Sequence, residues 1–255
     1  MNLLFIGDVV GKRGCAYLTK VLPELKRRYQ ADITIVNGEN SAEGNGITRF
    51  SAQQLLQAGA DLLTTGNHAF RRRDSLSIYE ADNILRPANY PDGVIGHGLG
   101  IVDLGRCRVA VINLMGTVYM EPLDNPYTII DQLLETIDTP NIFVDFHAEA
   151  TAEKKAMGYY LAGRVTGLFG THTHVQTSDE EILDAHTAYI TDAGMTGPAR
   201  SVLGVDVQRA VDKQRFHFPV TFIEADSPCL LGAIAVSFDP ATGKCTKTER
   251  IFMRE

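Results

Sequence analysis

The sequence contains few cysteines, and no cysteine pair of the kind that builds a disulfide framework or a structural zinc site. Only Cys15, Cys107, Cys229 and Cys245 occur in 255 residues, and no two of them are separated by two residues. Proteins of oxidising compartments use disulfides, whereas cytosolic proteins keep their thiols reduced. We therefore predict four reduced, mostly buried thiols in a cytoplasmic protein.

A basic excess and a long apolar run are also absent. The 24 Lys and Arg residues are outnumbered by 31 Asp and Glu residues, so the net charge is −7 at pH 7. Duplex nucleic acid is not an expected partner, because binding it requires a basic face that releases counterions. No segment approaches the roughly 20 apolar residues of a membrane span, and the N-terminus lacks the basic flank of a signal peptide. A membrane partner is therefore not expected either.

Short apolar runs alternate with amphipathic helical patterns, beginning with a βαβαβ series that predicts a parallel sheet. The predicted buried strands are 3–6, 33–36, 61–65, 142–146, 165–169 and 188–191. A first helix is predicted over 13–29, kinked or split by Pro23. A second helix is predicted from a cap at Ser51 to a stop at Gly59.

The rest of the chain has a mixed pattern. The runs 100–104 and 108–114 predict a hairpin around Gly105, and the runs 230–238 and 246–252 predict a terminal antiparallel pair. Two further helices are predicted, over 127–137 and from a cap at Thr151 to 161. No linker or repeat divides the chain, so residues 1–255 are predicted to form a single α/β domain. So many strands require two sheets or one very wide sheet.

Polar residues cluster directly after five of the predicted strands. These segments are Gly7-Asp8, Asn37-Gly38-Glu39-Asn40, Gly66-Asn67-His68, His147 and Gly170-Thr171-His172-Thr173-His174. In open α/β sheets, ligands bind at the carboxyl ends of the strands. Carboxylate, amide oxygen and imidazole together suit Mn, Fe or Zn, and the absence of thiolate argues against a structural zinc site. The set is too large for one ion but fits two ions, which together can activate a water and hold a phosphate.

Each of these residues, taken alone, also has a structural explanation. Asp8 could cap a helix, Glu39-Asn40 and Asn67 could lie in turns, and His147 could be a core histidine. His172 and His174 are alternate residues of a segment that we expect to be extended, so both side chains should point towards one site. His68 could protonate a leaving group. Alternatively, it could bind a metal ion itself or orient a residue that binds one.

Other titratable residues lie outside these segments. The ordinary interpretation of His97, His186 and His217 is a surface or core histidine. The run Arg71-Arg72-Arg73 could bind a substrate phosphate, but a solvated helix start or a set of internal ion pairs is the more ordinary interpretation.

The order of the motifs resembles that of the calcineurin-like metallophosphoesterases. Gly-Asn-His at 66–68 with Gly-Thr-His-Thr-His at 170–174 is typical of that superfamily, and Asn-Gly-Glu-Asn at 37–40 is similar to its YmdB-like subfamily of bacterial phosphodiesterases. The resemblance implies a four-layer α/β/β/α sandwich with two mixed β-sheets. It also implies a small phosphodiester substrate, with 2′,3′-cyclic nucleotides as a favoured class.

The resemblance assigns roles to individual residues. One ion would be held by Asp8, Glu39, Asn40 and His174, and a second by Glu39, Asn67, His147 and His172. The cofactors would be two divalent or mixed-valence Fe, Mn or Zn ions, bridged by Glu39 and a hydroxide that attacks phosphorus. His68 would be the catalytic residue, acting on the ester oxygen that leaves.

The sequence departs from the superfamily pattern at three positions. Val10 stands where most members have a metal-binding His, Glu39 stands where most have a bridging Asp, and Ala69 follows Gly-Asn-His where an acidic residue is common. The first two departures fit the subfamily, with Asn40 replacing the lost ligand. Ala69 removes a side chain that could orient His68.

Three alternatives remain open at this stage. The same ligand set would serve a phosphomonoesterase or phosphoprotein phosphatase. His-x-His also occurs in amidohydrolases, although there the pair follows an early strand of a β/α barrel. A non-catalytic regulator could retain the site as well. A homo-oligomer is expected only because oligomers are common among soluble proteins.

Overall fold

The computed structural model describes residues 1–255 and contains thirteen β-strands, five α-helices and one 3-10 helix. The strands are β1 Asn2–Ile6, β2 Asp8–Val9, β3 Ile33–Asn37, β4 Leu62–Thr64, β5 Leu99–Asp103, β6 Arg108–Met115, β7 Ile142–His147, β8 Gly167–Thr171, β9 Glu181–Leu183, β10 Thr187–Ile190, β11 Met195–Pro198, β12 Cys229–Phe238 and β13 Cys245–Arg254. The helices are α1 Gly11–Arg28, α2 Arg49–Ala58, α3 Pro126–Thr136, α4 Thr151–Leu161, α5 Val207–Phe216 and the 3-10 helix Arg73–Glu80. No helix is both long enough and apolar enough to cross a membrane.

The strands form two mixed sheets. Sheet one has the order β2-β11-β12-β1-β3-β4, with β13 added alongside β12, and sheet two has the order β5-β6-β7-β8-β10-β9. In sheet one, β1, β3 and β4 run parallel, as the βαβαβ pattern predicts. In sheet two, β6, β7, β8 and β10 run parallel. The predicted hairpin β5–β6 and the terminal pair β12–β13 are both confirmed as antiparallel pairs.

Three apolar clusters separate four layers. One cluster joins α1 and α2 to the outer face of sheet one, and another joins α3 and α4 to the outer face of sheet two. The third lies between the sheets, where Phe5 of β1 packs on Phe169 of β8 with 4.9 Å between ring centroids. This α/β/β/α sandwich confirms the predicted fold, because each sheet buries apolar side chains on both faces.

Several local predictions are corrected by the structure. Pro23 does not split α1, which runs unbroken from Gly11 to Arg28. Thr48, not Ser51, caps α2, and Ser51 at the third helical position completes a reciprocal capping box. Gly59 ends α2 in the left-handed conformation (φ +115°), as predicted. Thr151 is the first residue of α4 rather than its cap, which is Ala150.

Candidate metal centre and active site

The carboxyl ends of five strands deliver the predicted residues to one edge of the sandwich. Asp8 follows β1, Glu39 and Asn40 follow β3, and Asn67 and His68 follow β4, all in sheet one. His147 ends β7, and the segment that holds His172 and His174 follows β8, both in sheet two. Parallel strands end at the same edge of a sheet, so the topology brings all eight side chains together.

Four donor atoms converge around the His147 ring. Its Nε2 atom lies 2.9 Å from Glu39 Oε2, 3.0 Å from Asn67 Oδ1 and 3.1 Å from His172 Nδ1. Both Glu39 and His147 are fully buried. This set, which we call group two, contains all the residues that the sequence assigned to the second ion.

A smaller set, which we call group one, forms around His174. Its Nε2 atom lies 3.6 Å from Asp8 Oδ1 and 3.3 Å from Asn40 Nδ2. Val10 packs near Gly197 and Gly204 and brings no donor atom to this group. The Glu39 side chain makes no hydrogen bond or ion pair with group one, and its second carboxylate oxygen lies 2.7 Å from His68 Nδ1.

Buried oxygen atoms at the site lack hydrogen-bond partners. They are Asp8 Oδ1 and Asn40 Oδ1, whereas the two buried carboxylate oxygens of Glu39 contact ring nitrogens of His68 and His147. A buried polar atom left without a partner costs about 1–3 kcal/mol, and more when the group is charged. Cations bound by these oxygens and by the Glu39 carboxylate would account for the two atoms that lack a partner. The donor set therefore fits divalent metal ions on both chemistry and hydrogen bonding.

The donor side chains are in contact with one another. His147 Nε2 lies at hydrogen-bond distance from Glu39, Asn67 and His172. No three His, Cys, Asp or Glu side chains surround a position at which an ion fits. Binding of an ion therefore requires these side chains to move apart.

Gly66 makes room for group two. A Cβ atom at this position would lie 2.0 Å from Glu39 Oε2 and 2.1 Å from His147 Cδ2. We expect Gly66→Ala to weaken Mn²⁺ binding by about 10- to 100-fold, because the methyl group displaces two donor side chains. Isothermal titration with MnCl₂ would measure the effect. Gly38→Ala is the control, since its Cβ would meet flexible methyl groups of Leu55 and Ile47; equal binding by both variants would contradict the prediction.

The segment with His172 and His174 is a strained loop rather than an extended strand, which corrects the sequence interpretation. Both residues have positive φ, +94° for His172 and +63° for His174. Non-glycine residues rarely adopt this conformation, and surrounding contacts must hold them in it. The loop turns the two rings apart, so that His172 enters group two and His174 enters group one.

A buried ion pair holds the residue between the two histidines. Asp192 Oδ2 accepts hydrogen bonds from the backbone N–H (3.1 Å) and hydroxyl (2.6 Å) of Thr173. The same oxygen lies 2.7 Å from Lys154 Nζ, and both charged side chains are inaccessible to solvent. A fully buried lysine is uncommon unless it is paired. This pair fixes the loop that carries both His172 and His174.

His68 lies at the mouth of the site. Its ring contacts the buried Glu39 carboxylate through Nδ1, while 27% of its side chain stays exposed. Glu39 thus makes the carboxylate contact with the His68 ring that Ala69 cannot make. Tyr79 donates a hydrogen bond of 2.7 Å to the Ala69 carbonyl and fixes the backbone beside the ring.

The charges within the site shift the pKa values of its members. Burial alone would raise the pKa of Glu39, but contact with His147 and His68 lowers it to about 2. Burial likewise opposes protonation of His147, yet Glu39 and Asp8 raise its pKa to about 9. The pKa of His172 is lowered to about 4 by burial and by the neighbouring His147.

These shifts predict that metal binding releases protons. Near pH 7.5 the His147 ring is protonated, because its pKa is about 9, and an ion must displace that proton. Glu39 and His172 contribute no proton at this pH, since their pKa values are about 2 and about 4. Mn²⁺ affinity should therefore rise from pH 6 to pH 9. Calorimetry in buffers of different ionisation enthalpy measures the released protons, and a buffer-independent binding enthalpy would contradict the prediction.

Some residues at the site escaped the sequence analysis. Glu149 Oε2 lies 3.0 Å from His172 Nε2, so the ring contacts a carboxylate on the side opposite His147. Asp145 and Thr171 lie directly behind His147. Asp145 could have been found, because a charged residue inside the apolar run 142–146 is unusual. Lys154 and Asp192 gave no signal, since buried pairs between distant segments leave no local pattern.

The remaining candidates lie outside the site. Arg71 and Arg73 are exposed, and Arg73 begins the 3-10 helix. Arg72 donates hydrogen bonds to the carbonyls of Glu43 and Asn45 rather than forming an ion pair. The histidines at 97, 186 and 217 make no side-chain hydrogen bond or ion pair with the eight site residues. All four cysteines are unpaired, and three of them are buried.

Comparison with known proteins agrees with the fold. A 2′,3′-cyclic-nucleotide 2′-phosphodiesterase of Bacillus subtilis is 43% identical over 258 residues, which cover 100% of this chain and 98% of that protein. A solved structure from Thermus thermophilus is 36% identical with a TM-score of 0.95 and full coverage of both chains. A phosphatase structure from Mycoplasma pneumoniae is 33% identical with a TM-score of 0.95, over 100% of this chain and 93% of that chain. The model of the YmdB-like protein family matches residues 4–251, and the chain therefore belongs to this family.

Proposed function

We propose that this protein is a dinuclear metal-dependent phosphodiesterase that hydrolyses 2′,3′-cyclic nucleotides. Its close relative in Bacillus subtilis carries this activity in its name. The observation that carries the proposal is the convergence of seven donor side chains, in which the buried oxygens Asp8 Oδ1 and Asn40 Oδ1 lack hydrogen-bond partners and the buried Glu39 carboxylate contacts the His147 and His68 rings. Such a set is suited to cations that bind a phosphate, and it has no evident structural use without them.

The seven donor side chains would hold two divalent ions. Group two, with His147, Asn67, His172 and Glu39, would hold one ion, and group one, with Asp8, Asn40 and His174, the other. Bridging by Glu39 is part of the proposal and requires its Oε1 atom to turn from His68 towards group one. Two bound ions would supply an activated water and neutralise charge on the phosphate oxygens.

His68 would serve as the general acid. Hydrolysis at the 2′ ester adds water across the P–O2′ bond, and the departing O2′ must gain a proton. His68 lies at the exposed mouth beside the buried carboxylate, where its ring can reach a bound phosphate ester. General acid catalysis of this kind contributes about 10²- to 10⁴-fold to a rate.

Product-resolved hydrolysis of 2′,3′-cyclic AMP tests the proposal. Mn²⁺-loaded protein should release adenosine 3′-monophosphate, because cleavage at O2′ leaves the phosphate on O3′. It should also prefer bis-(p-nitrophenyl) phosphate to p-nitrophenyl phosphate. Preference for the monoester, or further conversion to adenosine, would identify a phosphomonoesterase instead. Bound Mn²⁺ with no hydrolysis of any of these esters would identify a regulator that retains the site.

We also propose a cytoplasmic location. Four unpaired cysteines, three of them buried, suit a reducing compartment.

A further inference from the structure

Asp145 is a carboxylate in the interior of the sandwich, directly beneath the proposed metal centre. It lies on β7 between the fully buried Val144 and Phe146, and it is 1% exposed. Burying a charged carboxylate is costly unless hydrogen bonds compensate for the lost water. The hydrogen-bond partners of its oxygens are therefore the groups that the fold holds in place around it.

Asp145 joins the two sheets. Its Oδ2 atom accepts hydrogen bonds from Asn37 Nδ2 (2.9 Å) and from the Thr64 hydroxyl, and both of these residues belong to sheet one. Its Oδ1 atom accepts from the Thr171 hydroxyl (2.6 Å), on the neighbouring strand of sheet two. The same Asn37 side chain accepts a hydrogen bond from the backbone N–H of Glu39 (3.1 Å). One carboxylate thus fixes segments that carry metal ligands on both sheets.

The hydrogen bonds continue from Asp145 to the His147 ring. The single hydroxyl proton of Thr171 is donated to Asp145, so Thr171 Oγ1 can only accept from the ring nitrogen 2.9 Å away. That nitrogen is Nδ1 of His147, which must then carry a proton. When the ring is neutral, as a metal ligand must be, its lone pair is therefore on Nε2, the atom that faces Glu39, Asn67 and His172.

We propose that Asp145 is a positioning residue that acts through Thr171 to fix the tautomer and orientation of His147 for metal binding. The inference rests on the proposed function, because it takes His147 as a metal ligand. Partners of ligand histidines typically contribute 10- to 100-fold to metal affinity. The threonine hydroxyl lies between the carboxylate and the ring. The residue at this position must therefore both donate one hydrogen bond and accept another to connect them.

Exchange of Thr171 tests the link with little change of shape. Thr171→Val removes the hydroxyl, so we expect Mn²⁺ to bind about 10- to 100-fold more weakly at one site while the other site keeps its affinity. Thr171→Ser keeps the hydroxyl and should restore two-site binding. Thr34→Val is the matched control, because Thr34 is also a fully buried strand threonine but its hydroxyl has no partner. Calorimetry and electron paramagnetic resonance with Mn²⁺ alone measure both sites.

A proton resonance gives a second readout that does not depend on activity. In Zn²⁺-loaded wild type, the His147 Nδ1–H proton should exchange slowly, and Thr171→Val should lose this protection. The same resonance is measured without metal, where Nδ1 also carries a proton. Failure of the wild-type protein to bind Mn²⁺ would contradict the proposed metal-dependent function. An unchanged Nδ1–H resonance in folded Thr171→Val would overturn the link through Thr171.

A second variant covers the case in which Thr171→Val does not fold. Asp145→Asn keeps the shape of the side chain and removes its charge. We expect it to weaken Mn²⁺ binding at one site and to accelerate exchange of the His147 Nδ1–H proton. Two-site binding and an Nδ1–H resonance equal to those of wild type would overturn the proposal.

Discussion

Exchange of His68 for alanine is expected to lower kcat for 2′,3′-cyclic AMP by about 10²- to 10⁴-fold while both ions stay bound. The ring lies at the mouth of the site, 27% exposed, and contacts two of the proposed ligands, Glu39 Oε1 at 2.7 Å and Asn67 Nδ2 at 3.5 Å. Its removal therefore takes away the proton donor for O2′ and leaves all seven donor side chains in place. Steady-state kinetics, with metal content measured on the same samples, would show the effect.

His97→Ala is the control for the His68 prediction. His97 is exposed and lies outside the site, so this variant should keep wild-type kcat. Wild-type turnover of His68→Ala would show that the ring is not the general acid. Loss of an ion from His68→Ala would instead make His68 a metal ligand.

Exchange of Glu39 for glutamine is expected to weaken Mn²⁺ binding by about 10²- to 10³-fold and to remove most activity. Both carboxylate oxygens are buried, and they contact the ring nitrogens of His147 and His68. Glutamine keeps the shape but removes the charge, and breaking a buried charged pair costs about 3–5 kcal/mol. Titration with MnCl₂ and metal analysis after desalting would measure the loss.

The Glu39 variant also has a signature in the metal-free protein. Because Glu39 raises the pKa of His147 to about 9, its neutralisation should lower that pKa and reduce the protons released on metal binding. Glu43→Gln is the matched control, since Glu43 is an exposed surface carboxylate paired with Lys12. If the Glu39→Gln protein bound two ions as tightly as this control, Glu39 would not be a metal ligand.

The strands that carry the site could be predicted because each is a mainly apolar run. The predicted runs 33–36 and 142–146 correspond to Ile33–Asn37 and Ile142–His147, and each ends in or beside a polar motif. A strand that is buried on both faces does not alternate between apolar and polar residues, so its sequence is mainly apolar. The convergence of the motifs follows from parallel strand order, which the βαβ pattern also indicates.

Elements with weak local signals could not be predicted in the same way. The strand β2 has only two residues, and β9 and β11 are short strands whose pairing partners stabilise them. The helix α5 buries only Ala210, so its sequence lacks a marked apolar stripe. Such elements depend on their tertiary neighbours rather than on intrinsic preference.

The His172–His174 segment shows the limit of periodic patterns at the site. Alternation assumes an extended chain, whereas both histidines adopt positive φ and their rings separate into two groups. Their conformation depends on Thr173 and its contact with the buried Asp192–Lys154 pair, which comes from other parts of the chain. Strained backbone of this kind is concentrated at functional sites, where surrounding contacts override local preference.

The donor side chains come from both sheets. The supply of metal would therefore affect the equilibrium between the folded and unfolded chain. Asp8, Glu39, Asn40 and Asn67 lie on or follow strands of sheet one, and His147, His172 and His174 lie on or follow strands of sheet two, so bound ions would cross-link the two sheets. An ion that binds only the folded chain stabilises it by about 2.7 kcal/mol when its free concentration is 100 times Kd. A chelator should therefore lower Tm in wild type, and lower it less in Glu39→Gln. In a cell short of divalent metal, the chain would be cleared by proteases more rapidly, so metal availability would set the amount of protein as well as its activity.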